Sequence, residues 1–173
     1  AGNICNASPA ADGVPPLLAL DAKVELCSQD TGTRVLPLNE FITGARQTVL
    51  KPDELVSALL VPSSPINMGS AFEKLGSRRY LVISITMTAA NVLLGQDGRI
   101  EDVRIAIGSC SAVSQRLYAL EKDLKGKTPQ DVLVRAEHLA PLSPIDDVRG
   151  SGTYRLAVVQ EQIQRAVMGA SRR

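Results

Sequence analysis

The sequence has no tryptophan, one histidine and three cysteines among 173 residues, and only 3% of it is aromatic. Each shortage removes a class of function. So few rings leave no stacking platform for nucleic-acid bases. Lysines and arginines are scattered, the net charge is +1, and no nucleic-acid partner is expected. Only Arg78-Arg79 and the terminal Arg172-Arg173 stand out as basic pairs, and the first reads as a solvated turn. Cys5, Cys27 and Cys110 are too widely spaced for a local metal motif, and their sparse, odd count suits a reducing cytoplasm. His138 stands alone and reads as a helix-surface residue, so a hydrolytic nucleophile–base pair has no candidates. No apolar run reaches membrane-spanning length, and residue 1 opens without a signal-peptide pattern. The expectation is a cytoplasmic globular protein of one domain or two small ones, with 45% apolar residues to build its core.

What is present reads as an α+β chain. Val14-Pro15-Pro16 opens a short helix. Lys23-Val24-Glu25-Leu26 alternates as a half-buried strand, turned by Asp30-Thr31-Gly32 toward Arg34-Val35-Leu36. Asn39 to Ile42 reads as a helical turn ending near Gly44, and Leu55 to Val61 as a buried strand. Pro62 to Ser70 is the clearest linker, and the domain boundary is placed there. Beyond it, Ala71 to Lys74 and Ser84 to Thr88 are strands, the second extending toward Leu94. Gln96-Asp97-Gly98 is a hairpin turn, with Val103, Ile105 and Ile107 on one face of the returning strand. Three helices finish the chain: Leu117, Leu120 and Leu124 line the first, and Gly126 stops it. Thr128-Pro129 opens the second, with Val132, Leu133, Ala136 and Leu139 on its apolar face. The third starts near Thr153 with Leu156, Val159, Ile163 and Val167 on one face. Ser143 to Arg155 reads as a capped, salt-bridged lead into that helix.

The first twelve residues carry the chemistry. Small residues, two amides, a Ser-Pro pair and Asp12 read as a tight loop with no apolar period. Gly2 permits close backbone approach, and backbone N–H groups with the Asn3 and Asn6 amides can face phosphate oxygens. Asp12 can accept from a sugar hydroxyl. A nucleotide cofactor suits such a loop; so does an ordinary Asx turn.

The run Gly2-Asn3-Ile4, Ala7-Ser8-Pro9 and Asp12 resembles the second FAD-binding loop of the flavoprotein subunit of the molybdenum hydroxylases. That family includes the medium subunits of xanthine dehydrogenase and carbon monoxide dehydrogenase. Four further strings resemble it in the same order: Phe41 to Leu55, Phe72 to Arg79, Asp97 to Asp102, and Ser143 to Ser151 with Tyr154-Arg155. The resemblance implies that residues 1–62 are the C-terminal portion of an FAD-binding domain. It implies that 70–173 form a domain with a three-stranded antiparallel sheet and three helices. It places FAD contacts at Gly2, Asn3 and Asp12, at Val56 through its backbone, and at Lys74 near the isoalloxazine. The implied function is electron relay in an FAD-dependent oxidoreductase. A molybdopterin-binding large subunit oxidises substrate, [2Fe-2S] centres on a small subunit pass electrons on, and FAD delivers them to NAD or another acceptor. The family's N-terminal lobe, with its first glycine-rich FAD loop, does not occur in these residues, so the chain by itself is expected to bind FAD weakly or not at all. The alternative is a non-enzymatic module that docks the molybdenum and iron–sulfur subunits.

Overall fold

The computed structural model describes residues 1–172; Arg173, the last residue of the second expected domain, lies outside them. The opening residues coil into a helical turn, α1 (Gly2–Cys5), where a loop was expected. Ile4 of this turn and Ala7 and Ala11 in the chain after it are buried, so the segment does turn an apolar side to the core. Two of its three members are alanine, too weak a signal to read beside polar neighbours. Next comes α2 (Val14–Ala19), with prolines in its first turn.

Strands β1 (Lys23–Ser28) and β2 (Gly32–Pro37) form the expected hairpin, with Gly32 at a φ of 77°. Helix α3 (Leu38–Phe41) is one turn long, and the chain leaves it at Ile42 for β3 (Ile42–Gly44), which pairs with β4 (Gln47–Thr48). The expected helical turn thus ends sooner, since Ile42 and Thr43 favour extended backbone. Strand β5 (Glu54–Leu60) joins the free side of β1, giving the order β2-β1-β5. It is not the buried strand its apolar run suggests. As an edge strand it turns one face to the core through Val56 and Leu59, and Leu55 is 75% exposed on the other. Glu54 reaches back to β2, accepting from Arg34 Nε and Nη2 at 2.7 and 2.8 Å and from Lys51 N at 2.9 Å. Those bonds, chiefly from Arg34, lower its carboxyl from 4.5 to about 2.

Residues 61–67 are an exposed connection. After it, β6 (Gly69–Leu75), β7 (Thr86–Leu94), β8 (Ile100–Gly108) and β9 (Gln115–Arg116) form a four-stranded antiparallel sheet in that order. The expected sheet had three strands; β9, at two residues, is too short to show alternation. Gly98 turns β7 into β8 at a φ of 75°. Helix α4 (Tyr118–Leu124) is followed by Gly126 at a φ of 80°. Long helix α5 (Gly152–Ala170) is capped by Ser151, whose hydroxyl accepts from Tyr154 N.

The middle helix of the expected three does not form. Pro129–Asp131 and Ala136–Leu139 are separate 3-10 turns with extended backbone between them. β-Branched Val132 and Val134 disfavour a helix there, and Leu133 is turned outward, 59% exposed. The Thr128 hydroxyl donates to the Asp131 carboxylate instead of capping the backbone. His138 is buried and not on a helix surface; its Nδ1 accepts from Arg135 N at 3.1 Å.

The four-stranded sheet is covered on both faces. On one, Val159, Ile163, Ala166 and Val167 of α5 pack on Ala90, Val92, Ile105 and Ile107. On the other, the cross-strand pair Ala89 and Ala106 belongs to the cluster of Ile4, Ala7, Ala11, Val14, Leu18 and Phe41. Gly108 lies on this side: a Cβ there would stand 2.8 Å from Pro15 Cγ and 2.7 Å from Met87 Cε. Polar ties reinforce the seam. Asn91 Nδ2 donates to Ala19 O at 2.8 Å, and buried Arg116 donates to Leu18 O, Asp21 and both carboxylate oxygens of Glu121. Burial works against the Arg116 charge, but Glu121 and Asp21 together raise its affinity for the proton.

Gly108→Ala is expected to lower stability by about 1–3 kcal/mol, because the ring of Pro15 cannot swing aside. An unchanged urea midpoint would contradict the close approach of α2. The Glu54 pair makes an acid prediction. Its folded pKa lies below the unfolded value, so its stabilisation is full above pH 4.5 and disappears as pH falls toward 2. Glu54→Gln should therefore flatten the pH dependence of the unfolding midpoint in that window, measured by circular dichroism.

Candidate functional site

Asp12, at the end of the opening segment, meets the chain beyond the exposed connection at residues 61–67. Its Oδ2 accepts from Lys74 Nζ on β6 at 2.5 Å, and its Oδ1 accepts from Ser84 Oγ at 2.6 Å. Lys74 stands near the end of β6 and Ser84 just before β7, so one carboxylate bridges both ends of the connection between those strands. Asn3 stays close to this cluster in the chain fold, its Oδ1 accepting from Gly13 N at 3.3 Å. Gly2 is exposed, and nothing lies within 4 Å of where a side chain would project. Protein packing therefore does not require a glycine at that position. Val56 is on the other sheet, its side chain against the core and its backbone paired to Leu26 of β1. Of the five site residues expected from the sequence, the structure joins Asp12 and Lys74 directly, keeps Gly2 and Asn3 on the same segment as Asp12, and holds Val56 on a separate strand. The Asn6 amide is engaged within the protein, its Oδ1 accepting from Arg46 Nη1 at 2.9 Å.

Beside Ser84 opens a cavity of about 520 Å³, a size that suits a small organic ligand. Ser8, Pro9 and Ala10 form one wall, Ala45 and Arg46 another, and Ser109, Ser111 and Ala112 the edge beyond β8. Residues 143–155 close it with Ser143, Ile145, Asp147, Arg149 and Arg155. Arg155 is buried and donates to Ile85 O, to Ser109 O at 3.2 Å and to Asp147 Oδ1 at 2.6 Å. Its Nε and the Ser109 hydroxyl are buried without hydrogen-bond partners among the described residues. Asp147 also accepts from Arg149 N at 2.8 Å, and this bond together with the two guanidinium groups depresses its pKa. Three arginines against one aspartate leave the cavity positive. Cys110, next to it, is no nucleophile: burial pushes its thiol up to about 12. The sequence reading did not single out Ser84, Ser109 or Arg155 as binding residues, because a buried serine has no sequence signature and Arg155 read as a salt-bridge residue.

Comparison with known proteins identifies the frame. Residues 1–64 match the model of the FAD binding domain in molybdopterin dehydrogenase, and residues 70–170 match that of the CO dehydrogenase flavoprotein C-terminal domain. The chain belongs to the flavoprotein subunits of the molybdenum hydroxylases. Caffeine dehydrogenase subunit beta of Pseudomonas sp. (strain CBB1) is 32% identical over 173 residues, covering 95% of this chain and 58% of its own length. The xanthine dehydrogenase FAD-binding subunit of Escherichia coli O157:H7 is 30% identical, with 98% of this chain and 59% of that one aligned. A reconstituted CO dehydrogenase structure from Oligotropha carboxidovorans superposes with a TM-score of 0.88 at 25% identity, over 99% of this chain and 60% of that one. The chain thus spans about 60% of the length of the flavoprotein subunits it matches. The α+β class and the family follow the sequence reading. No described helix is long and apolar enough to cross a membrane.

Asp147→Ala is expected to cost about 1–3 kcal/mol, because it strips buried Arg155 of a charged partner. It should also expose residues 143–150 to limited proteolysis. An unchanged digestion pattern and urea midpoint would show that the Asp147 pairs do not hold this wall.

Proposed function

We propose that this chain helps to bind FAD and relays electrons from iron–sulfur centres through that flavin to an acceptor. The observation that carries the reading is the meeting of Asp12 and Lys74 beside the arginine- and serine-lined cavity. Residues 1–62 are read as part of the FAD-binding domain and 70–173 as the C-terminal domain. The residue chemistry fits the cofactor. A half-exposed carboxylate can accept from sugar hydroxyls, and an ammonium group can stabilise negative charge on the N1/C2 edge of a reduced flavin ring. Gly2 offers open backbone where a pyrophosphate can approach, with the Asn3 amide beside it. Val56 lies on an edge strand, so its part is read as a backbone contact. FAD would supply a carrier that exchanges electrons with both one-electron and two-electron partners. This chain's residues would orient it, tune its potential through Lys74 and keep its ring next to the cavity.

The same cavity suits the acceptor. Its positive lining, with Arg46, Arg149 and Arg155 against Asp147, favours an anionic molecule such as NAD over a neutral one. The donor side of the relay is read as a small subunit with [2Fe-2S] clusters, working with a large molybdopterin subunit that oxidises the substrate. The chain by itself is read as inactive, because the relay needs both partners.

The test is to isolate the assembly through a tag on this chain and record its visible spectrum. Bound flavin is expected, and Asp12→Ala or Lys74→Met should weaken FAD at least about tenfold on reconstitution of the flavin-stripped assembly. An assembly that holds its partners without flavin would favour the docking-module role instead.

A further inference from the structure

Ser84 is buried to 1% exposure, and its one side-chain hydrogen-bond partner among the described residues is Asp12. Its hydroxyl donates to Oδ1 while Lys74 donates to Oδ2, so the two donors fix both the position and the rotation of the carboxylate. A carboxylate has about four lone-pair sites. Two protein donors therefore leave the outward pair free, and Asp12 remains about half exposed to receive it. Without Ser84, the carboxylate would keep only a flexible lysine as its guide. Lys74 has four carbons between backbone and charge and can follow Asp12 as it turns.

We propose that Ser84 is a positioning residue for the flavin: it does not bind the cofactor, but aims the Asp12 carboxylate at the cofactor's sugar hydroxyls. This rests on the reading of Asp12 as an FAD contact. Preorganisation is the physical basis. A carboxylate already held in one rotamer loses less freedom when a ligand hydroxyl arrives. Ser84 also lines the cavity. Nothing in the expected set of contacts contained it.

The experiment is a double-mutant cycle on FAD affinity in the flavin-stripped intact assembly, using Ser84→Ala, Asp12→Asn and the pair. Ser84→Ala is expected to raise the Kd for FAD about three- to tenfold when Asp12 is present, and to have no further effect in the Asp12→Asn background. Thermal unfolding of each apo variant separates this from a general loss of stability, since a structural effect would persist in both backgrounds. Ser84→Thr, which keeps the hydroxyl, should bind FAD as the parent does. If Asp12→Asn weakens FAD and Ser84→Ala does not, the positioning role is overturned while the flavin reading stands. Equal losses from Ser84→Ala in both backgrounds also overturn it, by showing a structural role. If Asp12→Asn leaves the affinity unchanged, the flavin contact fails, and this inference fails with it.

Discussion

The close packing of the first twenty residues on the second face of the four-stranded sheet is the constraint on which the site depends. That face is floored with small side chains, Ala89 opposite Ala106 and Gly108 opposite Met87. Larger residues there would hold α1 and α2 away from the sheet. Because they are small, Pro15 comes within contact of Gly108, and Ile4, Ala7 and Ala11 reach the core. The same approach carries Asp12 to Lys74 and Ser84. A shift of one ångström or two at α2 would part the carboxylate from donors that now lie 2.5 and 2.6 Å away.

Charge crosses this seam only in company. Arg116 is buried with Glu121 and reaches over to Asp21 and Leu18 O, while Arg104 pairs with Asp21 from β8 at 3.0 Å. Uncompensated, such a guanidinium would oppose folding; paired and hydrogen-bonded, it specifies which surfaces meet. The cavity breaks the pattern. There Arg46, Arg149 and Arg155 outnumber Asp147, and two buried donors go without acceptors. Native interiors tolerate few such groups.

Much of this was legible from the residues. Gly98 and Gly126 marked turns that form as read, and the face of Leu156, Val159, Ile163 and Val167 belongs to a helix that forms. Misreadings have a common cause: the hydrophobic pattern says how apolar a segment is, not which neighbour covers it. Leu55 to Val61 looks buried, yet the strand that forms there is an edge strand with one open face. The apolar side of the opening segment was hidden because two of its buried residues, Ala7 and Ala11, are alanines, which bury little area and read as neutral. Val132 to Arg135 has enough apolar residues for a helix, but β-branching and the demands of the core pull it straight. His138, placed on the surface by its polarity, is buried because its ring takes up a backbone N–H. Asp12 and Lys74 were visible only through the resemblance; that they touch, across 62 positions, is a property of the fold. The cavity was not legible at all, since its lining comes from five separate stretches of chain.

The division of the site between two parts of the chain has an energetic consequence. Asp12, Ser8 and Arg46 come from before the exposed connection at residues 61–67, and Lys74, Ser84, Ser109 and Arg155 from after it, so neither part holds a complete set of contacts. A ligand that touches both sides binds only while the seam is closed. Its binding therefore adds to the stability of the seam, by RT ln(1 + [L]/Kd). The converse also holds: whatever loosens α2 from the sheet lowers ligand affinity before it unfolds the chain. Small residues at Ala89, Ala106 and Gly108 thus bear on binding although none of them lines the cavity. The contact floored by Ala89, Ala106 and Gly108 is therefore as much a part of this site as the polar residues that meet across it.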